Sequence, residues 1–171
     1  DAAFQLRRAM RISRCTPIRD MLLSFACSSE DPISGGRHKV LGSRRLSIPP
    51  QTSTIASHLP KAVGAAFSIA MARHLLGGEQ MLPRNGLVLC SFGDASCNHS
   101  TAQGAFNTAA WIAYRRLPLP VLFVCEDNGI GISVPTPEGW VAASFRQRPG
   151  LRYFHANSLD SGETYSEIGR A

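Results

Sequence analysis

Long apolar runs are missing from this sequence: none of its 171 residues lies in a stretch approaching the about 18 uninterrupted apolar positions that a membrane-crossing helix needs. Arg7, Arg8, Arg11, Arg14 and Arg19 stud the first thirty positions, so no secretory leader is readable either. A cytosolic protein without membrane contact is the default expectation. Paired cysteines are also missing. The five that exist (Cys15, Cys27, Cys90, Cys97, Cys125) are odd in number, scattered and never in a C-x-x-C pair, which argues against a disulfide framework or a zinc site and for reduced, mostly buried thiols. Aromatics are sparse, at 8%. The net charge of +6 and the Arg/Lys-rich segment 7 to 45 therefore do not read as a nucleic-acid surface. That segment has no basic run longer than two and only Phe4 and Phe25 nearby, so it lacks a stacking platform for single strands. An anionic small-molecule cofactor or an acidic neighbour explains the sign equally well. Finally, no G-x-G-x-x-G follows a strand pattern: Gly129-Ile130-Gly131 lacks both the third glycine and a helix start, which disfavours a dinucleotide site. Internal repeats and low-complexity tracts are absent.

What is there is a 44% hydrophobic chain with 18% charge, long enough for one folded domain over 1–171. Residues 3 to 12 suit a short helix. Thr16-Pro17 followed by IRDMLLSFA reads as a cap, a first-turn proline and a helix. Residues 28–50, rich in Ser, Gly, Pro and Arg, have no hydrophobic period and read as a long loop, a candidate edge of an active site. Residues 57 to 76 are apolar around most of the circumference and end at Gly77-Gly78, which predicts a buried helix whose small residues Ala62, Gly64, Ala65 and Ala66 admit a close neighbour. GLVLCSF over 86–92 and PVLFVC over 120–125 are short apolar runs without alternation, as in strands covered on both faces. Between them residues 100 to 115 form a helical pattern capped by Ser100 or Thr101, with Trp111 and Phe106 on its core side. Strand, helix and strand over 86–130 make a right-handed crossover unit, and the expected class is α/β, a parallel sheet with helices on both faces. A short helix near 139–146, a strand at 151–157 and a polar helix at the end complete the reading.

Parallel sheets bind ligands beyond the carboxyl ends of their strands, so the residues that follow the two strongest strands carry the chemistry. They are Gly93-Asp94-Ala95-Ser96 and Glu126-Asp127-Asn128-Gly129. A lone Gly-Asp after a strand is ordinarily a turn. A pair of oxygen-bearing side chains at adjacent strand ends, each beside a glycine that permits close backbone approach, is the hard-ligand set that magnesium prefers. A helix starting near Ser100 adds backbone N–H groups for a phosphate.

These stretches, GDASCNHSTAQGAFNTAAW through VLFVCEDNGIGISVPTP, resemble the thiamine diphosphate signature of the alpha subunits of 2-oxo acid dehydrogenases. EDPISGGRHKVLGS and QTSTIASHLPKAVGAAFSIA are similar to that family's active-site loop and buried helix, so the resemblance runs from about Thr16 to Asp160. It implies a thiamine-diphosphate-binding fold, incomplete here, in which Asp94, Asn128 and the Ile130 carbonyl hold Mg2+. It implies that Gly93, the Ala95 and Ser96 N–H groups and Asn98 receive the diphosphate, and that Ser53 and Ile55 grip the aminopyrimidine ring. Arg37 and His38 fall in the loop facing the reacting carbon. His58 stands either as a capping or core histidine or beside the cofactor. Two departures from the signature are Ala95 in place of a glycine, tolerable at negative φ, and Asp127 in place of an asparagine.

The implied activity is oxidative decarboxylation of a 2-oxo acid with acyl transfer to lipoamide. Its partners would be a beta subunit or fused beta half, which supplies the glutamate that activates the aminopyrimidine, and a lipoyl-bearing acyltransferase. The chain corresponds to the central part of such an alpha subunit, so activity in isolation is not expected. Two alternatives stay open: another thiamine-diphosphate enzyme, transketolase-like or acetoin-cleaving, and a non-catalytic alpha-like interaction module.

Overall fold

The computed structural model describes residues 17–37, 40–43, 46–75 and 85–171. Contacts divide the chain into two compact units, Asp1–Thr54 and Ile55–Ala171. The helix expected at 3–12 lies outside the described residues.

In the first unit, α1 (Pro17–Phe25) begins with the proline anticipated, whose fixed φ suits a first helical position. It ends in a left-handed cap at Cys27, φ 52°, with Cys27 N–H donating to the Ser24 carbonyl at 3.2 Å and Ser28 N–H to that of Leu23 at 2.9 Å. Residues 28–50 are not the uninterrupted loop expected. Their second half forms an antiparallel hairpin, β1 (Leu41–Ser43) with β2 (Ile48–Gln51), which pairs Leu41 with Gln51 and Ser43 with Ile48. The strands escaped detection because neither buries a face and β2 carries Pro49 and Pro50, tolerated only on a sheet edge. Gly42 eases the close pairing: a β-carbon on it would sit 3.1 Å from the Ile48 carbonyl oxygen.

In the second unit, α2 (His58–Leu75) leads to β3 (Val88–Gly93), a 3₁₀ turn (Asp94–Asn98), α3 (Ser100–Tyr114) and β4 (Val121–Glu126). β3 and β4 pair in parallel and in step from Val88 with Val121 to Gly93 with Glu126. The α/β class with a parallel sheet is therefore what the chain has, and both candidate strand ends emerge side by side. Cys90 and Phe92 of β3 point into the core, whereas Leu89 on the opposite face is 67% exposed, so no helix of the described residues covers β3 there. The core is built on Phe92, Phe106, Phe123 and Phe145. Phe106 sits centrally, its ring centroid 5.3, 5.2 and 4.9 Å from those of the other three, mostly edge to face.

α2 and α3 pack through small residues: Ala62, Ala66 and Ala70 are buried on the first, Ala102, Ala105 and Ala109 on the second. Close approach of this kind needs short side chains on both contact stripes. α2 is less enclosed than its composition suggested, because Gly64 has open space beside it and Phe67 is 36% exposed. Trp111, anticipated in the core, is 63% exposed. The cap of α3 is His99, whose Nδ1 accepts from Thr101 N–H at 3.2 Å, and not Ser100 or Thr101.

A second hairpin follows β4: β5 (Ile130–Gly131) and β6 (Val134–Pro135). Then come α4 (Trp140–Phe145) and α5 (Ser161–Arg170), the latter capped by Asp160, which accepts from Gly162 and Glu163 N–H at 2.9 and 3.0 Å. Residues 151–157 form no strand; Leu151 and Tyr153 pack on the core, but the stretch has no strand ladder.

Candidate functional site

The parallel register places Gly93-Asp94 and Glu126-Asp127 at one end of the sheet, and the chain beyond β4 turns back over that end. Asp94 opens the 3₁₀ turn and is 1% exposed. Its Oδ2 accepts from Gly129 N–H at 3.1 Å and from the Thr136 hydroxyl, so one carboxylate oxygen ties the first strand end to the hairpin after the second. Oδ1 has no such bond, and no cationic side chain pairs with Asp94 among the described residues. Burying a carboxylate without a countercharge costs several kcal/mol, so this arrangement is suited to a bound cation.

Two further oxygens lie in the same loop. Asn128 is exposed, and its Oδ1 accepts from Ile130 N–H at 3.1 Å, an Asx turn that fixes the side chain while leaving the second lone pair of that oxygen. Thr136 N–H donates to the Gly129 carbonyl at 3.0 Å. Antiparallel pairing alternates, so the next pair, Ile130 with Pro135, is a non-hydrogen-bonded one, and the Ile130 carbonyl points out of the hairpin. It is therefore not used within the hairpin. A carboxylate, an amide and a main-chain carbonyl form the oxygen set that a small divalent cation takes together with water or phosphate.

The backbone beside these oxygens is open at two glycines. A β-carbon on Gly93 or on Gly129, φ +76°, would meet nothing within 4 Å. Of the first N–H groups of the turn that opens at Asp94, that of Ala95 has no carbonyl within the turn to bond, which suits an anion there. Ala95 is absent from the positive-φ positions, so its methyl costs no backbone strain. Beneath the turn, Cys97 is fully buried, and its free thiol shares a hydrogen bond with the free thiol of Cys125; that hydrogen bond holds the Cys97 thiol below its ordinary value and, with burial, pushes that of Cys125 above it. Gln103 of α3 spans the region, its Nε2 donating to the Cys97 carbonyl at 2.5 Å and its Oε1 accepting from Arg148 at 3.1 Å.

The family model described as dehydrogenase E1 component matches residues 4–162. The chain belongs to that family. Curated relatives of this E1-family chain carry one name in several lineages. The 2-oxoisovalerate dehydrogenase subunit alpha 2, mitochondrial, of Arabidopsis thaliana is 34% identical over 134 residues, 76% of this chain and 25% of that protein. The subunit alpha of Bacillus subtilis (strain 168) is 28% identical over 158 residues, 90% of this chain and 43% of that protein. The mitochondrial subunit alpha of Mus musculus is 34% identical over 87 residues, 51% of this chain and 16% of that protein. The chain thus spans less than half the length of these relatives.

Of the residues singled out from the E1-family resemblance, the structure brings Gly93, Asp94, Ala95, Ser96, Asn128 and Ile130 to one sheet end. Asn98 is exposed at the end of the turn. Ile55 is 54% exposed at the start of the second unit. His58 Nε2 lies 2.9 Å from the Ser91 carbonyl, a contact that joins α2 to β3. In the first unit, Ser53 lines a shallow cleft with Phe25, Leu41, Gln51 and Thr52. Arg37 is exposed, its carbonyl 2.7 Å from the Ser34 hydroxyl. That hydroxyl also contacts the buried Asp31, whose carboxyl is held below its usual value by Ser34 and by Ile33 N–H. His38 lies outside the described residues. Thr136 was missed, and its only sequence signal was position, a hydroxyl between two prolines directly after the glycine-rich stretch.

Proposed function

We propose that this E1-family chain is the cofactor-anchoring part of an alpha subunit that binds thiamine diphosphate with Mg2+ for oxidative decarboxylation of a 2-oxo acid and acyl transfer to lipoamide. The observation that carries the reading is Asp94: a buried carboxylate with no cationic partner among the described residues, fixed through one oxygen by Gly129 and Thr136. Asp94, the Asn128 side chain and the Ile130 carbonyl would hold the metal. Ala95 and Ser96 N–H groups, with Gly93 and Asn98 beside them, would receive the diphosphate, and Ser53 and Ile55 would meet the aminopyrimidine ring. Arg37 and His38 would lie in the loop facing the reacting carbon, and His58 would stand beside the cofactor or support the strand end.

When bound, the cofactor supplies the electron sink that decarboxylation requires. The chain's own contribution is to hold the two strand ends together and to place a fixed negative charge beside the metal. A beta subunit or fused beta half would supply the activating glutamate, and a lipoyl-bearing acyltransferase would take the acyl group. The relatives are named 2-oxoisovalerate dehydrogenase subunits, and a branched-chain 2-oxo acid is the first to try.

The experiment is calorimetric titration of thiamine diphosphate into the full-length protein with its partner, with and without Mg2+, beside Asp94→Asn. Binding that requires the metal and is lost with Asp94→Asn is the expected result. Equal binding by Asp94→Asn would remove Asp94 from the metal set.

A further inference from the structure

Gly131 lies against the turn that carries Asp94. A β-carbon built on it would fall 2.3 Å from the Ala95 β-carbon and 3.8 Å from the Ala95 α-carbon, and real β-carbons essentially never come closer than 3.0 Å to a neighbour. The space between the 3₁₀ turn and β5 therefore holds one methyl group. Ala95 fills it, and position 131 has none to add.

The neighbour cannot yield cheaply. The obstructing atom is a methyl bonded directly to the main chain, with no rotatable bond that would swing it aside, so a second methyl must move backbone. The segments available to move are the turn that carries Asp94 and the hairpin that carries the Ile130 carbonyl, and these are the two joined by the Gly129 and Thr136 bonds to Asp94. Ala95 is also the position where the chain departs from the glycine of the cofactor signature, so the additional methyl on one side is matched by a missing side chain on the other.

We propose that Ala95 and Gly131 are a size-matched pair that sets the separation of the two loops of the anchor, which makes Gly131 a positioning residue for the metal end of the site. The inference rests on the proposed Mg2+–thiamine diphosphate reading for its functional consequence, but not for the contact itself. Gly131→Ala pushes the loops apart, displacing the Ile130 carbonyl from Asp94 and weakening metal-dependent cofactor binding. Ala95→Gly makes room again.

Four full-length chains, in the complex each forms, decide it: wild type, Gly131→Ala, Ala95→Gly and the double variant. Two quantities are measured on each, the affinity for thiamine diphosphate at saturating Mg2+ by calorimetry and the thermal midpoint without cofactor. Gly131→Ala is expected to lose about tenfold or more in affinity and to melt lower, and the double variant to recover both to near wild type, as contacting residues that share one space couple. Should Gly131→Ala fail to fold, recovery of folding and binding in the double variant supports the pair equally. A double variant no better than Gly131→Ala, or a Gly131→Ala chain that binds like wild type, overturns the proposal. If the wild type shows no Mg2+-dependent binding, the anchor reading fails instead; the midpoints then uphold the contact if the double variant recovers and refute it if not.

Discussion

Thr136→Val replaces the hydroxyl that donates to Asp94 with a methyl of nearly the same size, and it leaves the main-chain bond from Thr136 N–H to the Gly129 carbonyl, 3.0 Å, untouched. Hairpin register is therefore preserved, and the change acts on one bond. Asp94 is 1% exposed and carboxylate-borne bonds are charge-assisted, so losing one of the two on Oδ2 should cost about 1.5–3 kcal/mol. For a chain of this size that corresponds to a fall of roughly 3 to 12 °C in thermal midpoint. Urea unfolding at neutral pH, followed by far-ultraviolet circular dichroism, reads the loss directly. The control is the same substitution in an Asp94→Ala background, where the hydroxyl has no carboxylate to serve and the cost should drop below about 0.5 kcal/mol. A loss under about 0.5 kcal/mol in the wild-type background, or an equal loss in both, would refute the role assigned to Thr136.

Phe106→Ala removes the ring at the centre of the four-phenylalanine core and should cost about 3–5 kcal/mol in denaturant unfolding, against well under 1 for Trp111→Ala at its exposed position. Ile132, 95% exposed at φ 49°, holds a β-branched side chain in the left-handed region; Ile132→Gly should raise the thermal midpoint by the equivalent of about 1 kcal/mol, and an unchanged or lower midpoint would show the turn to be unstrained. Asp31 has a depressed carboxyl pKa from the Ser34 hydroxyl and Ile33 N–H, so its stabilisation is present above the unfolded-state value near ~3.9 and is lost as pH falls through the lower folded-state value. Amide hydrogen exchange of Ile33 should accelerate relative to the rest of the first unit only in that acid window, and Asp31→Asn should abolish the dependence.

Legibility followed burial. β3, α3 and β4 were readable nearly to the residue because each packs an apolar set on the core and has sharp punctuation: Gly93-Asp94 at the end of one strand, Arg115-Arg116 after the helix, Asp127-Asn128-Gly129 after the other. β1 and β2 were invisible because they bury no face, and glycine and prolines in them mark turns in any pattern-based reading. Leu151 and Tyr153 alternate like a strand because they do pack inward, yet a ladder needs a neighbour that composition cannot reveal. Trp111 shares the spacing of Phe106, but lies on the face of α3 that meets solvent. At the site, Asp94 and Asn128 were legible from chemistry plus strand ends. Thr136 and Gly131 were not, since their importance depends on how closely a hairpin folds back on a turn some forty positions earlier.

The partners of the Asp94 carboxylate lie 35 and 42 positions further along the chain. During synthesis, at about 5–20 residues per second, some 2 to 8 seconds separate the appearance of the aspartate from that of Thr136. For that interval the nascent chain carries an acid that cannot be buried without penalty. The sheet end must stay hydrated until the second hairpin is out, and the closing of Gly129 and Thr136 onto Asp94 then marks a molecule whose whole strand-helix-strand unit has formed.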